Sequence, residues 1–176
     1  MIEVRELKEN ELPDIWAIDR REVVENIYYF RNGELVLEPE HWDVPGWPVD
    51  VASRFDPVFQ ECFKRGGSFW GAFKGEIFVG VAILESKFIG SQKDTLQLTY
   101  LHVSHDARKQ GLGKKLFLLA AEKAKSLGAR KMYVSATPSE NTVHFYQNLG
   151  CTLAEEVDAE FFAEEPDDIH LEYALR

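Results

Sequence analysis

Between Leu101 and Leu127 a β-prone stretch runs into Gly111-Leu112-Gly113 and straight on into an amphipathic helix, an order that few folds accommodate. Thr95 to Ser104 has the composition of a strand. After the glycines, Leu112, Leu116, Phe117, Ala120, Ala124 and Leu127 recur at helical spacing, and Gly128 ends the run. Glycines at i and i+2 let a bulky anion approach the backbone, and successive N–H groups at a helix start form an anion nest. Arg108, Lys109, Lys114 and Lys115 add positive charge at the same end, which is unusual for a helix start. Two nucleotide motifs fail here. A phosphate-binding loop of the Walker type needs glycine where Arg108 stands and Ser or Thr where Lys115 stands. A dinucleotide fingerprint needs a third glycine near Leu116 and an early strand before it.

The remaining chain suits one domain, residues 1–176, of α/β (α+β) type. A chain of 176 residues with 45% hydrophobic content buries a core without disulfides or metal. Cys62 and Cys151 are far apart, match no zinc or redox spacing, and suit a reducing cytoplasm. No apolar run approaches the ~20 residues of a membrane span. The net charge of −10 argues against a nucleic-acid partner. That charge is divided: Asp106 to Lys131 carries +6, whereas Glu155 to Asp168 has eight acidic residues and no basic one. His41, His105, His144 and His170 show no metal spacing, so no metal is expected.

Ile2 to Leu7 alternates as a strand, and Asn10 is placed to cap a helix with Pro13 in its first turn. Asn32-Gly33 between Asn26–Arg31 and Glu34–Leu37 signals a hairpin. Glu38 to Pro57, with four prolines and His41, Trp42 and Trp47, predicts irregular chain, followed by a short helix over Pro57–Lys64. Ser68–Lys74, Glu76–Ser86, Arg130–Ala136, Cys151–Val157 and Ile169–Leu175 are predicted strands. Thr137-Pro138-Ser139-Glu140 has a capping-box pattern opening a helix to Leu149.

Arg108-x-x-Gly111-x-Gly113, followed after one helix and one strand by Phe145-Tyr146 and then Gly150-Cys151, resembles the paired motifs of the Gcn5-related N-acetyltransferase family. The resemblance covers Ser68 to Arg176 and, weakly, the first strand and helix; residues 26–67 have no assigned counterpart and are expected to be a variable, acceptor-shaping insertion. It implies a mixed, mostly antiparallel six- to seven-stranded sheet with helices on both faces and a splay between two central parallel strands. It also implies transfer of an acetyl group from acetyl-coenzyme A to a primary amine by direct attack. Backbone N–H groups over Lys109, Gln110, Gly111, Leu112, Gly113 and Lys114, together with Arg108, would hold the pyrophosphate. Leu101 and Val103 would bind the pantetheine arm as an added strand, with the Leu101 N–H polarising the thioester carbonyl. Tyr146 matches the general acid that protonates the departing thiolate.

The chain also departs from the pattern. Ser139 stands where many relatives carry asparagine, and Asn141 sits two residues late; either could contact coenzyme A. Gln97 and Thr99 occupy the usual positions of the base and cannot accept a proton usefully. His102 is expected on the opposite face from Gln97, Thr99 and Leu101, in a structural role. The amine would then lose its proton to a water chain or to Glu22, Glu25 or Glu85. The missing base leaves a non-enzymatic acyl-coenzyme A-binding module as the alternative. The acidic run and the aromatic residues Tyr28, Tyr29, Trp42 and Trp47 point to a cationic small or peptidic amine, with a homodimer compatible with such a domain.

Overall fold

A computed structural model describes all residues, 1–176. Nine strands are formed: β1 (Ile2–Glu6), β2 (Glu22–Arg31), β3 (Glu34–Val44), β4 (Ser68–Lys74), β5 (Ile77–Leu84), β6 (Thr95–Val103), β7 (Lys131–Ala136), β8 (Thr152–Leu153) and β9 (Ile169–Ala174). The helices are α1 (Val51–Lys64), α2 (Leu112–Ser126), α3 (Glu140–Asn148) and α4 (Ala159–Glu164), with a 3-10 helix over Glu9–Ala17. Seven strands form one sheet in the order β1-β4-β5-β6-β7-β9-β8, and β2 and β3 form a separate hairpin. Every neighbouring pair is antiparallel except β6–β7. The expected architecture, with helices on both faces, is therefore present.

The two faces bury separate apolar layers. Leu112, Leu116, Phe117, Ala120 and Ala124 of α2 and Val143 and Tyr146 of α3 pack on one face, against Leu96, Leu98, Met132, Val134 and Leu171. On the other, Leu12 and Ile15 of the 3-10 helix and Phe59 and Cys62 of α1 pack against Phe69, Val81 and Ile83. Gly71 in β4 serves this second layer, because a Cβ there would lie 2.5 Å from Leu7 Cδ2 and 2.9 Å from Phe73 Cε2. Gly71→Val is expected to destabilise the fold by ~1–3 kcal/mol, since a packed core resists overfilling. A lowered denaturation midpoint with an unchanged slope would record it.

Several boundaries differ from the sequence expectation. The 3-10 helix is capped at Lys8 rather than Asn10, because the Lys8 N–H donates to the Glu11 carboxylate at 2.8 Å. Glu11 is itself gripped by Arg5 of β1, at 2.7 and 3.0 Å. Most of the stretch predicted as irregular is ordered: β3 continues to Val44, and α1 starts at Val51 with Pro57 inside it. Val51, Phe55, Phe59 and Cys62 supply an apolar stripe, and Trp16 Nε1 donates to Asp56 at 2.7 Å. Pro57 is exposed, so the Ser53 carbonyl whose bond it removes can face water. The α3 helix is capped by Ser139, not by Thr137. The strand expected over Cys151–Val157 shrinks to two residues, and the acidic run holds α4, whose first N–H groups at Glu160 and Phe161 are accepted by Asp158.

Candidate active site

The parallel strands β6 and β7 pair only over Thr95↔Lys131, Leu96↔Met132 and Gln97↔Tyr133. From Leu98 onward β6 has no partner on that side, and the sheet opens into a gap. Which backbone groups face the gap follows from the other edge. Ser104 N donates to Val79 O at 2.8 Å, and β5 pairs Gly80↔Val103, Val81↔His102 and Ala82↔Leu101. In an antiparallel ladder the bonded groups alternate, so His102 and Ser104 face β5 and Leu101 and Val103 turn their N–H and C=O groups into the gap. The Val103 carbonyl accepts from Arg108 Nε at 2.9 Å, and Arg108 Nη1 donates to Arg21 O at 3.1 Å. Arg108 thus pins the glycine loop to the end of β6, and its guanidinium is largely engaged with backbone rather than free for an anion.

The loop lies where β6 ends. Lys109 and Gly111 hold left-handed φ values of 61° and 80°. Gln110 Nε2 donates to Asp106 O at 3.1 Å, closing the turn. The six consecutive backbone N–H groups from Lys109 to Lys114 donate to no protein acceptor, whether carbonyl or side chain. A Cβ on Gly111 would meet nothing within 4 Å, so the space above the row is open. Gly113 has a second duty: its Cβ would sit 3.1 Å from the Phe145 ring, so glycine lets α2 close on α3.

β2 spans the two lips of the gap. At its start, His105 N donates to Asp19 O at 2.8 Å and Asp19 N donates to Ser104 Oγ at 3.0 Å, joining the segment before β2 to the β6 end. Further along, Tyr28 N donates to Pro138 O at 2.8 Å and Ile27 bridges Ser139, beyond the end of β7. Asn26 Nδ2 donates to Glu140 at 2.8 Å, and the Tyr28 hydroxyl and His144 Nε2 share a hydrogen bond of 2.6 Å. The aromatic residues expected together are divided. Trp47 stacks on Tyr100 in the α1 layer, Tyr28 meets His144, and Tyr29 bonds Glu40 on the hairpin. Arg20 covers the Trp47 ring at 5.1 Å and Arg54 covers Phe55 at 5.3 Å, so those aromatic faces already hold cations.

Tyr146 is buried from the α2 side, with its ring against Phe117 and Phe145. Its hydroxyl has no protein partner, yet the one fully enclosed polar side-chain atom without a partner is His170 Nε2. The Tyr146 oxygen therefore keeps an opening. Burial, then Cys151 and Asp168, hold this phenol well above the usual range. Ser139 is 1% exposed and its hydroxyl donates to Thr142 Oγ1 at 2.8 Å, which takes it away from any ligand. Asn141 is exposed at the start of α3.

The face of β6 toward α1 differs from expectation. Thr99 is an extra residue between Ile83↔Tyr100 and Leu84↔Leu98, a bulge that reverses the alternation. Leu101 and Val103 therefore share the α2 face with Leu96 and Leu98, whereas His102 lies with Tyr100 and Trp47 on the α1 face, the side of Gln97 and Thr99. Burial, with Arg20 and Arg108 nearby, lowers His102 to about 3, so it is neutral and a poor base. Glu85 is no base either. Burial would raise its pKa, but the Arg65 guanidinium at 2.6 and 2.9 Å and the Ser86 N–H bring it down to about 2. Glu25 is exposed and faces His41 at 3.2 Å, and Glu22 lines a shallow groove with Arg21 and His105.

Sequence reasoning did not single out Asp168. Ser135 of β7 donates to its carboxylate at 2.9 Å, two residues past Tyr133, the last β7 residue paired with β6. Burial, with Glu165 and Asp167, outweighs the Ser135 bond and raises its pKa to about 6. Beside it the Tyr133 hydroxyl bonds His170 Nδ1 at 2.6 Å and accepts from Asp158 N at 3.2 Å. The only local signal for this group was the acidic run itself. A cavity of about 300 Å3 at the paired end of β6 and β7 is lined by Asp94, Lys131, Glu155, Glu156 and Glu172. Its carboxylates are occupied, with Lys131 held by Glu155 and Glu172 and the Ser91 N–H by Glu156. No three His, Cys, Asp or Glu side chains are grouped to hold a metal ion.

The family model described as "Acetyltransferase (GNAT) family" matches residues 26–151. The chain belongs to that family. The N-acetyltransferase YjgM of Escherichia coli strain K12 is 29% identical over 97 residues, covering 54% of this chain and 57% of that protein. The chain thus matches little more than half the length of this relative. The N-acetyltransferase YvbK of Bacillus subtilis strain 168 is 29% identical over 112 residues, covering 63% and 68%. Among solved structures, nourseothricin acetyltransferase superposes with a TM-score of 0.73 at 15% identity over 99% of both chains. The PaiA N-acetyltransferase of Thermoplasma acidophilum, solved with coenzyme A, gives 0.62 at 17% identity over 99% of both. These likenesses show the GNAT fold. No helix is long and apolar enough to cross a membrane.

Proposed function

We propose that this GNAT domain transfers an acetyl group from acetyl-coenzyme A to a primary amine by direct attack. The row of six unpartnered N–H groups from Lys109 to Lys114, set at the end of an open strand edge, carries the proposal. Donors left without acceptors at a helix start suit a pyrophosphate, and the +6 charge of Asp106 to Lys131 favours it. The Leu101 N–H and C=O and the Val103 N–H are the edge groups left for a pantetheine arm. When bound, acetyl-coenzyme A supplies an activated thioester; the Leu101 N–H stabilises charge on its carbonyl oxygen, and Tyr146 faces the departing sulfur. A phenol held this high stays protonated and serves first as a hydrogen-bond donor. Asn141 remains a candidate coenzyme A contact.

Residues 1–176 act as one catalytic unit, in which residues 26–67, holding most of the hairpin β2–β3 and all of α1, wall the acceptor side of the gap. The acceptor is an amine that is cationic before reaction. Arg20 lies over Trp47 and Arg31 over Tyr29, so those two aromatic faces do not support this; the acidic residues Glu165, Asp167 and Asp168 at the β7 lip do.

Coenzyme A release measured with a panel of amines tests the reading. Turnover with cationic amines, together with thermal stabilisation by acetyl-coenzyme A but not by ATP, is the expected result. Binding without release for every amine would make the chain a sensor. No response to acetyl-coenzyme A would remove the cofactor assignment.

A further inference from the structure

We infer that Asp168 is the proton acceptor for the incoming amine, supplied by the loop before β9 instead of by the central strand β6. The inference rests on the acetyltransferase reading and names a catalytic group for it.

Elimination leaves few alternatives. Gln97 and Thr99 are not bases, and Thr99 Oγ1 is turned to Gln97 at 3.3 Å. Glu85 is locked to Arg65, and Glu25 lies on the outer hairpin against His41. His170 has an enclosed Nε2 and an Nδ1 bonded to Tyr133. Asp168 differs in each respect. It is half-buried, its sole side-chain hydrogen bond comes from the neutral Ser135 hydroxyl, and no Arg or Lys pairs with it. Ser135 places it on the part of β7 that has lost its β6 partner, where the gap opens. Its charge acts on both Tyr133 on one face of the sheet and Tyr146 on the other.

The chemistry balances with these groups. An ammonium gives one proton to the Asp168 carboxylate and becomes a free amine. The nitrogen lone pair forms the C–N bond to the thioester carbonyl, and the tetrahedral oxyanion lies against the Leu101 N–H. The C–S bond then breaks with its electron pair on sulfur. Tyr146 gives its proton to that sulfur and regains one from the nitrogen, while Asp168 returns its proton to water. The products are an amide, a free thiol and one proton. Asp168, pushed up to about 6, is ionised at neutral pH yet basic enough to help.

The titratable groups around Asp168 are Glu165 and Asp167 from the α4 end, Tyr133 from β7 and Tyr146 from α3. Asp168 must be ionised to act, so kcat/KM should rise with pH through about 6 and then level. Asp168→Asn should lower kcat/KM by roughly 10²–10⁴-fold and erase that acidic limb. Stabilisation by acetyl-coenzyme A should persist. Ser135→Ala removes a bond that favours the ionised form, so it should move the limb to higher pH. A 13C-carboxyl NMR titration of the ligand-free protein gives the matching readout: one carboxyl near pH 6 in the wild type, absent in Asp168→Asn and shifted upward in Ser135→Ala. If the wild type turns over but Asp168→Asn keeps the acidic limb, the assignment is overturned. A loss confined to KM with the limb intact would also overturn it, leaving a docking carboxylate. If Asp168→Asn does not fold, an unmoved limb and resonance in Ser135→Ala overturn it alone. A wild type that releases no coenzyme A with any amine fails the acetyltransferase reading instead, which separates the two.

Discussion

Gly111→Val should abolish the thermal response to acetyl-coenzyme A while leaving a folded protein. At a ligand concentration of 100 Kd the wild type gains about 2.7 kcal/mol, which for a domain of this size is a rise of roughly 5–10 °C in Tm. Gly111 caps α2 at φ 80° and ψ 0°, and a Cβ there would have no protein atom within 4 Å, so the substitution causes no clash within the fold. It acts in two other ways. A β-branched residue is disfavoured in the left-handed region by ~1–2 kcal/mol, and its methyl groups would fill the space over the unpartnered N–H row. Gly111→Ala keeps the backbone strain with less bulk and should retain part of the response. A full response from the valine variant would show that the phosphates bind elsewhere.

Tyr146→Phe should lower kcat by roughly 10²-fold or more, with cofactor affinity nearly unchanged. The geometry makes this substitution unusually clean. The ring keeps its packing against Phe117, 6.1 Å away, and Phe145, 5.1 Å away. The hydroxyl has no protein partner, so its removal breaks no internal hydrogen bond and should not reduce Tm. Tyr146 is held above the usual phenol range, so its titration should not shape the activity profile near neutral pH. Equal turnover of the two proteins from pH 6 to 9 would return Tyr146 to a packing role.

These two residues and Asp168 differ in how they became visible. Gly111 and Tyr146 stand in local patterns: a glycine turn between a strand and a helix, and a Phe-Tyr pair on a helix that ends at Gly150. The hairpin was legible for the same reason, since Asn32 and Gly33 take φ values of 52° and 82° as the two-residue turn requires. So were the central strands and α2, whose periodicity needs no knowledge of partners. The mixed sheet with helices on both faces was implied by the family resemblance of the paired motifs, not by these local signals.

Tertiary pairing decided what local pattern could not. One extra residue, Thr99, reverses a period of two, and His102 moves to the face opposite the one assigned from simple alternation. Arg108 looks like an anion ligand in a linear motif, but the fold turns its guanidinium to Val103 O and Arg21 O. Pro57 resembles a helix start until the apolar stripe from Val51 finds the second core layer. Asp168 is one of eight acidic residues in a run; it is positioned by Ser135, 33 positions earlier in the chain, and gains its character from burial. Propensity and spacing act between neighbours, so sequence alone determines the central strands, the long helix α2 and the glycine-turn anion nest. Burial and hydrogen bonding act between residues far apart in the chain, so only the folded structure determines which side chains remain free for chemistry.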